Sequence, residues 1–317
     1  MICWESVAAD TGARWPHAGR IESVFRDRRS RGGKALVPFF MYGYPDRETF
    51  IDLLFAAEAA GADVVEVGLP CSDPTNDGPT IRCASQRALA KGASAASLLE
   101  SVGGCRARGL TVPLMLMTYY RPMRAFGTAS LCRAAAQAGI DGLLVADLAP
   151  ERSDTLVASA TAFGLETVFL VTPGTPQSEV PAIVERCRGF VYCVSVEGVT
   201  GGETTDTGPA AGVVARVWQY TDLPALVGFG VANEESARRF AALSDGVIVG
   251  SALLRAIGGR CGGEAVEAAS GFLARVRTAV DQVPSPAQPE ATATNRDTES
   301  GSFTPGDDST PLLTSTA

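Results

Sequence analysis

Val64-Val65-Glu66-Val67-Gly68-Leu69-Pro70-Cys71-Ser72-Asp73-Pro74-Thr75-Asn76-Asp77-Gly78-Pro79 changes character twice along its length. Its first six residues form a short valine-rich apolar run bounded by turn formers, the pattern of a strand buried on both faces. Cys71 to Pro79 is rich in Asp, Pro and Gly and reads as a loop, and residues 80–91 resume as an amphipathic helix. Strand alternation sets Glu66 on the opposite face from Val65 and Val67, toward the interior of whatever the strand helps to build.

The same unit repeats on either side. Apolar runs occur at 35–43, 64–69, 113–120, 142–147, 166–172, 190–196, 224–230 and 246–250, and candidate helices lie at 46–60, 80–91, 127–138, 151–163, 178–187, 207–220 and 233–243. Val- and Leu-rich strands with helices between them predict a parallel sheet covered on its outer face. Eight such strands fit a closed (β/α)8 TIM barrel better than an open doubly wound sheet, which stands as the fallback. Three zones follow: a polar N-terminal extension over 1–20, a catalytic barrel over 21–283, and a tail over 284–317. The tail is rich in Pro, Ser, Thr and acids and has too little apolar surface to offset its ordering entropy, so it is expected to be disordered.

Composition narrows the function classes. The chain has 317 residues, 46% of them hydrophobic, enough for one large core. A net charge of -8 leaves no basic surface for tracking a phosphate backbone, so nucleic acid is not an expected partner. No apolar run reaches the roughly 18 residues of a spanning helix, and residues 1–20 lack the basic-then-apolar pattern of a signal peptide. Eight cysteines are scattered with no CxxC pair, which suits reduced thiols and a cytoplasmic protein. The single histidine, His17, lies in the extension, which disfavours a zinc site and a Ser–His or Cys–His nucleophile alike.

Barrel chemistry sits at the C-terminal ends of the strands. Glu66 near the end of strand two is either a carboxyl whose burial raises its pKa toward a useful acid–base range, or a barrel-layer glutamate paired with an arginine. Asp77 is either a functional acid or the cap of the following helix. Strand seven ends Gly228-Phe229-Gly230 and strand eight ends Gly250-Ser251-Ala252-Leu253-Leu254, at the two positions where barrels usually bind phosphate. Glycine after a strand is common, so either element alone says little; together they predict a phosphate site. Glu197-Gly198-Val199-Thr200-Gly201-Gly202 has the glycines of a hinged lid, in which Thr200 is a lid contact or a solvated hydroxyl.

From Ile21 to about Val283 the chain resembles the tryptophan synthase alpha subunit family. The most specific piece is Glu66 to Pro79, followed by Ala84-Ser85-Gln86-Arg87-Ala88-Leu89, with support from Met117-Thr118-Tyr119-Tyr120, Gly198-Val199-Thr200-Gly201 and Gly228-Phe229-Gly230. The resemblance implies a lyase that cleaves indole-3-glycerol phosphate to indole and glyceraldehyde 3-phosphate, with no metal and no cofactor. It implies that Glu66 and Asp77, eleven residues apart, are the catalytic carboxylates. Asp77 would hold the indole N–H; Glu66 would protonate the ring carbon and help remove the glycerol hydroxyl proton. Tyr192 would lie near Glu66, and Thr200 would close over the site and position Asp77. The N–H groups of Gly201, Gly230, Gly250 and Ser251 would take the phosphate, and Phe39, Tyr119 and Phe229 would wall the indole pocket. The two lysines agree with this, because a Schiff-base aldolase needs a lysine in the barrel, whereas Lys34 precedes strand one and Lys91 follows the helix after strand two.

The departures fall elsewhere. Where the family's second loop usually reads Phe, Ser, Asp, Pro, an apolar residue, Ala, Asp, Gly, Pro, this chain has Cys71, Thr75 and Asn76 in place of three of them. Arg121 replaces an Asn before Pro122, Tyr44 an acidic residue, Val196 an Arg, and Ala146 and Ala149 two prolines. Most of these positions are expected to face a beta subunit or the mobile loops, which predicts an altered interface with that partner. Two settings fit: an alpha subunit passing indole to a beta subunit, or a free-standing lyase. A non-catalytic, partner-binding homologue is the alternative from another class.

Overall fold

The computed structural model describes residues 19–195 and 206–284. Its strands are β1 (Ala35–Met41), β2 (Val65–Gly68), β3 (Leu114–Thr118), β4 (Gly142–Val145), β5 (Glu166–Val168), β6 (Leu170–Val171), β7 (Val191–Val194), β8 (Ala225–Gly228) and β9 (Gly246–Val249). All pair in parallel in the order β5-β4-β3-β2-β1-β9-β8-β7-β6. β5 and β6 are one stave interrupted at Phe169: residues 166–168 pair with β4 and residues 170–171 with β7. Eight staves therefore close the expected (β/α)8 barrel, and nearly every strand residue is buried because helices cover the outside and side chains fill the inside.

The helices are α1 (Arg20–Ser30), α2 (Arg47–Ala59), α3 (Pro79–Ala90), α4 (Ala95–Ala107), α5 (Tyr120–Phe126), α6 (Thr128–Ala138), α7 (Asp154–Ala162), α8 (Val180–Arg186), α9 (Gly208–Trp218), α10 (Glu234–Ala242), α11 (Ser251–Ile257) and α12 (Gly262–Asp281). Five of these, α1, α4, α5, α11 and α12, are not among the helices that periodicity marks. The start of α2 is set by Asp46, whose carboxylate accepts from Thr49 N–H at 2.8 Å, and α4 and α10 begin with capping boxes, Ser94/Ser97 and Asn233/Ser236. Two sequence boundaries shift. Residues 151–163 divide into a 3-10 turn at Pro150–Arg152 and α7, and the run read as strand to residue 120 stops at Thr118, since Tyr120 already opens α5.

α1 closes the N-terminal mouth of the barrel. Ile21 and Phe25 are buried there, with the Phe25 ring edge-on to Phe190 at 5.4 Å. The Glu166 carboxylate accepts from the N–H groups of Ile21 and Glu22 at 2.8 and 3.0 Å, so an acid at the base of β5 satisfies donors that the first turn of a helix leaves unpaired. Arg20, Arg28 and Arg29 pair with Asp141, Asp63 and Asp245, each of which lies just before a strand. These contacts belong to the end of the barrel that carries stability rather than chemistry. Among the described residues no helix is long and apolar enough to cross a membrane, and none of the seven described cysteines is in a disulfide.

Candidate active site

Both expected acids are buried at the C-terminal mouth. Glu66 is 4% exposed in the middle of β2, facing inward as the alternation predicts, and Asp77 is 3% exposed at the end of the loop to α3. Loss of water around Glu66, then the nearby Asp77 charge, push its carboxyl up to about 8, so it holds its proton at neutral pH. Burial pushes Asp77 up only to about 6, because the Tyr119 hydroxyl and the Arg82 charge favour its ionised form. Arg82 Nε also donates to the Asp77 carbonyl at 2.6 Å. One acid is therefore protonated and its neighbour ionised near pH 7, the separation of roles that paired acid–base chemistry needs.

The two acids open into one cavity of about 270 Å³, close to the small end of ordinary ligand pockets. Phe39, Tyr192 and Phe229 line it, as do Gly230, Gly250 and Ser251. Tyr192 is buried, and the charges of Glu66 and Asp77 add to burial in raising its hydroxyl pKa, which places it beside both acids. Its ring stands edge-on to Phe229 at 6.2 Å. Gly228 makes this arrangement possible, since a Cβ there would overlap the Tyr192 hydroxyl and ring; likewise a Cβ on Gly68 would come within 2.6 Å of Phe39 Cζ.

Phe229 has φ 68°, the one non-glycine at positive φ among the described residues, and Gly230 follows at 71°. Backbone held in that region costs energy and collects at functional sites. Here Ser195 Oγ helps to hold it by donating to the Phe229 carbonyl at 2.7 Å. On the adjacent stave, after β9, Gly250 is the N-cap of α11 and Ser251 its first residue, so the first N–H groups of α11 have no partner within the helix. An anion is the natural acceptor for such groups.

Tyr119 departs from expectation. Expected on the pocket wall, it is not among the residues lining the cavity: β3 ends at Thr118, so Tyr119 is the N-cap of α5, and its side chain is buried in the core near Asp77. The buried hydroxyl lies close enough to Asp77 for each to shift the other's pKa, although it forms no hydrogen bond of ordinary geometry. Two departures from the family pattern also prove to be inward. Cys71 and Tyr44 are buried, and the Cys71 N–H donates to Ser85 Oγ at 2.9 Å, so neither presents its side chain to a partner. Thr75, Asn76 and Arg121 are exposed. Thr200, Gly201, Val196 and the 197–203 loop lie outside the described residues.

Sequence reasoning missed much of the wall: Asn76, Leu144, Leu170, Thr172 and Ile248. Pairing carries Glu66 to Met115 and Gly142, so Leu144 shares the face of Glu66 two residues further along its strand, a relation that only the register of the closed sheet reveals.

A family model described as "Tryptophan synthase alpha chain" matches residues 25–281. The chain belongs to the tryptophan synthase alpha chain family. The tryptophan synthase alpha chain of Laribacter hongkongensis is 40% identical over 262 residues, covering 83% of this chain and 99% of that protein. Among solved structures, tryptophan synthase from Mycobacterium tuberculosis superposes with a TM-score of 0.77 at 34% identity, over 84% of this chain and 99% of that one. The tryptophan synthase subunit alpha of Legionella pneumophila gives 0.77 at 29% identity, over 84% and 100%. For this tryptophan synthase alpha chain family member the match spans the whole barrel, and the cavity just described is the concave site at its catalytic mouth.

Proposed function

We propose that the chain is a carbon–carbon lyase that splits indole-3-glycerol phosphate into indole and glyceraldehyde 3-phosphate. The observation that carries this reading is one cavity lined by two buried acids, Glu66 and Asp77, and by Gly230, Gly250 and Ser251 at the ends of β8 and β9. The phosphate is held at the glycine-rich ends of β8 and β9, and the indole ring lies between Phe39 and Phe229, with its N–H donating to Asp77. Glu66 transfers its proton to the ring carbon that bears the side chain, and Asp77 stabilises the positive charge that reaches the ring nitrogen. Glu66, now a carboxylate, takes the proton of the adjacent glycerol hydroxyl. The aldehyde C=O forms, the carbon–carbon bond breaks, its electrons restore the aromatic ring, and Glu66 is protonated again.

The partner on this reading is a tryptophan synthase beta subunit, met by an altered surface at the exposed Thr75, Asn76 and Arg121. Indole release from indole-3-glycerol phosphate by the purified chain tests the chemistry. Asp77→Asn should keep the fold and lose on the order of 10²-fold in rate; near-full turnover in that variant would remove Asp77 from the mechanism. Adding the beta subunit of the same genome tests the partnership. A rise of about tenfold or more, roughly 1.4 kcal/mol of coupling, marks an ordinary alpha–beta complex, and a smaller one marks an altered interface.

A further inference from the structure

Asn76 ties the loop that carries Asp77 to a distant strand. Its Nδ2 donates to the Ala146 carbonyl at 2.8 Å, seventy residues along the chain. A carbonyl can only accept, so the amide must present its nitrogen there. Two residues of α3 also anchor this loop, and these anchors are local. Ser85 Oγ bonds both the N–H and the carbonyl of Cys71 at 2.9 Å, and Arg82 grips the Asp77 carbonyl, so all of these tie the loop to α3, its own helix. The Asn76 bond instead spans β3, which lies between β2 and β4, and reaches the end of β4.

The acceptor end is itself held. Ala146 N–H donates to the Thr118 carbonyl at 2.9 Å, and the next residue, Asp147, accepts from Tyr120 N–H at 2.6 Å. Asn76 and Ala146 both line the cavity, and Asn76 is joined by one peptide bond to Asp77. The alanine usual at this position in the family has no side-chain donor for such a bond.

We propose that Asn76 is a positioning residue, a latch that holds the loop bearing Asp77 down over the aromatic end of the cavity. It rests on the lyase reading above. Asn76 is exposed and packs no core, so the latch acts on where Asp77 stands and not on whether the barrel folds. The phosphate end, on the opposite staves β8 and β9, should be indifferent to it.

The test compares the full-length wild type with Asn76→Ala and with Asn76→Asp, which keeps the shape but cannot donate when ionised. The measurements are kcat for indole release, Kd for indole, Kd for glycerol phosphate, and Tm. Both variants should lose about three- to tenfold in kcat, the scale of one neutral hydrogen bond. Indole should bind more weakly, glycerol phosphate within about twofold of wild type, and Tm should stay within about 2 °C. Unchanged kcat and indole affinity in both variants would overturn the latch, as would a parallel fall in both affinities and Tm. A wild-type chain that released no indole would instead overturn the lyase reading, and the latch would then stand or fall on indole affinity alone.

Discussion

Exchanging Glu66 for glutamine keeps the side chain's shape and removes its charge, and it should trade activity for stability in a pH-dependent way. The folded protein holds this carboxyl at about 8 against an ordinary value of 4.5. In the unfolded chain it ionises near 4.5, so the unfolded state is the one that gains as the pH rises through that value. Stability from this site is thus greatest below pH 4.5, declines between 4.5 and about 8, and is level above. The slope in that window is about 1.4 kcal/mol per pH unit. At pH 7 the wild type is therefore penalised by roughly 3 kcal/mol, and glutamine, which does not titrate, is not. Urea unfolding of both proteins at a series of pH values isolates Glu66 together with the groups that feel its charge, Asp77 and Tyr192, since the remaining titrations are common to the pair. The stability of Glu66→Gln relative to wild type should climb by about 4 kcal/mol from pH 5 to pH 8, on the order of 10 °C in Tm, while indole release falls on the order of 10²-fold. A difference that stayed flat across this range would show that Glu66 is not held protonated, and would remove it as the proton donor.

The same two acids predict a bell-shaped pH dependence of kcat/KM for indole release, rising as Asp77 ionises near 6 and falling as Glu66 loses its proton near 8; the limbs belong to the interacting pair, and an alkaline limb that persisted in Glu66→Gln would reassign it. Gly228→Ala would drive a methyl into the Tyr192 hydroxyl and push that ring away from Glu66. Turnover should fall tenfold or more, with an overpacking cost of about 1–3 kcal/mol in urea unfolding, and full activity in this variant would show that Tyr192 has no part in the site.

The sequence by itself determined the staves and the inward face of Glu66, while Asp77 could still be read as a helix cap. Strand periodicity is local: the valines around Glu66 settle its face without reference to the rest of the chain. Periodicity could not find α1, α4, α5, α11 and α12, whose boundaries rest on caps and on packing against the barrel. Nor could it see what depends on which stave lies beside which. Tyr119 is buried near Asp77, off the cavity wall, since β3 stops one residue before it and it is the N-cap of α5. Asn76 meets Ala146 because β2, β3 and β4 are neighbours, a relation between residues seventy apart that neither segment carries alone. The separated acidities of Glu66 and Asp77 were the last thing to be decided, since a carboxyl's pKa follows its burial and neighbouring charges, and both are set only when the barrel has closed around it.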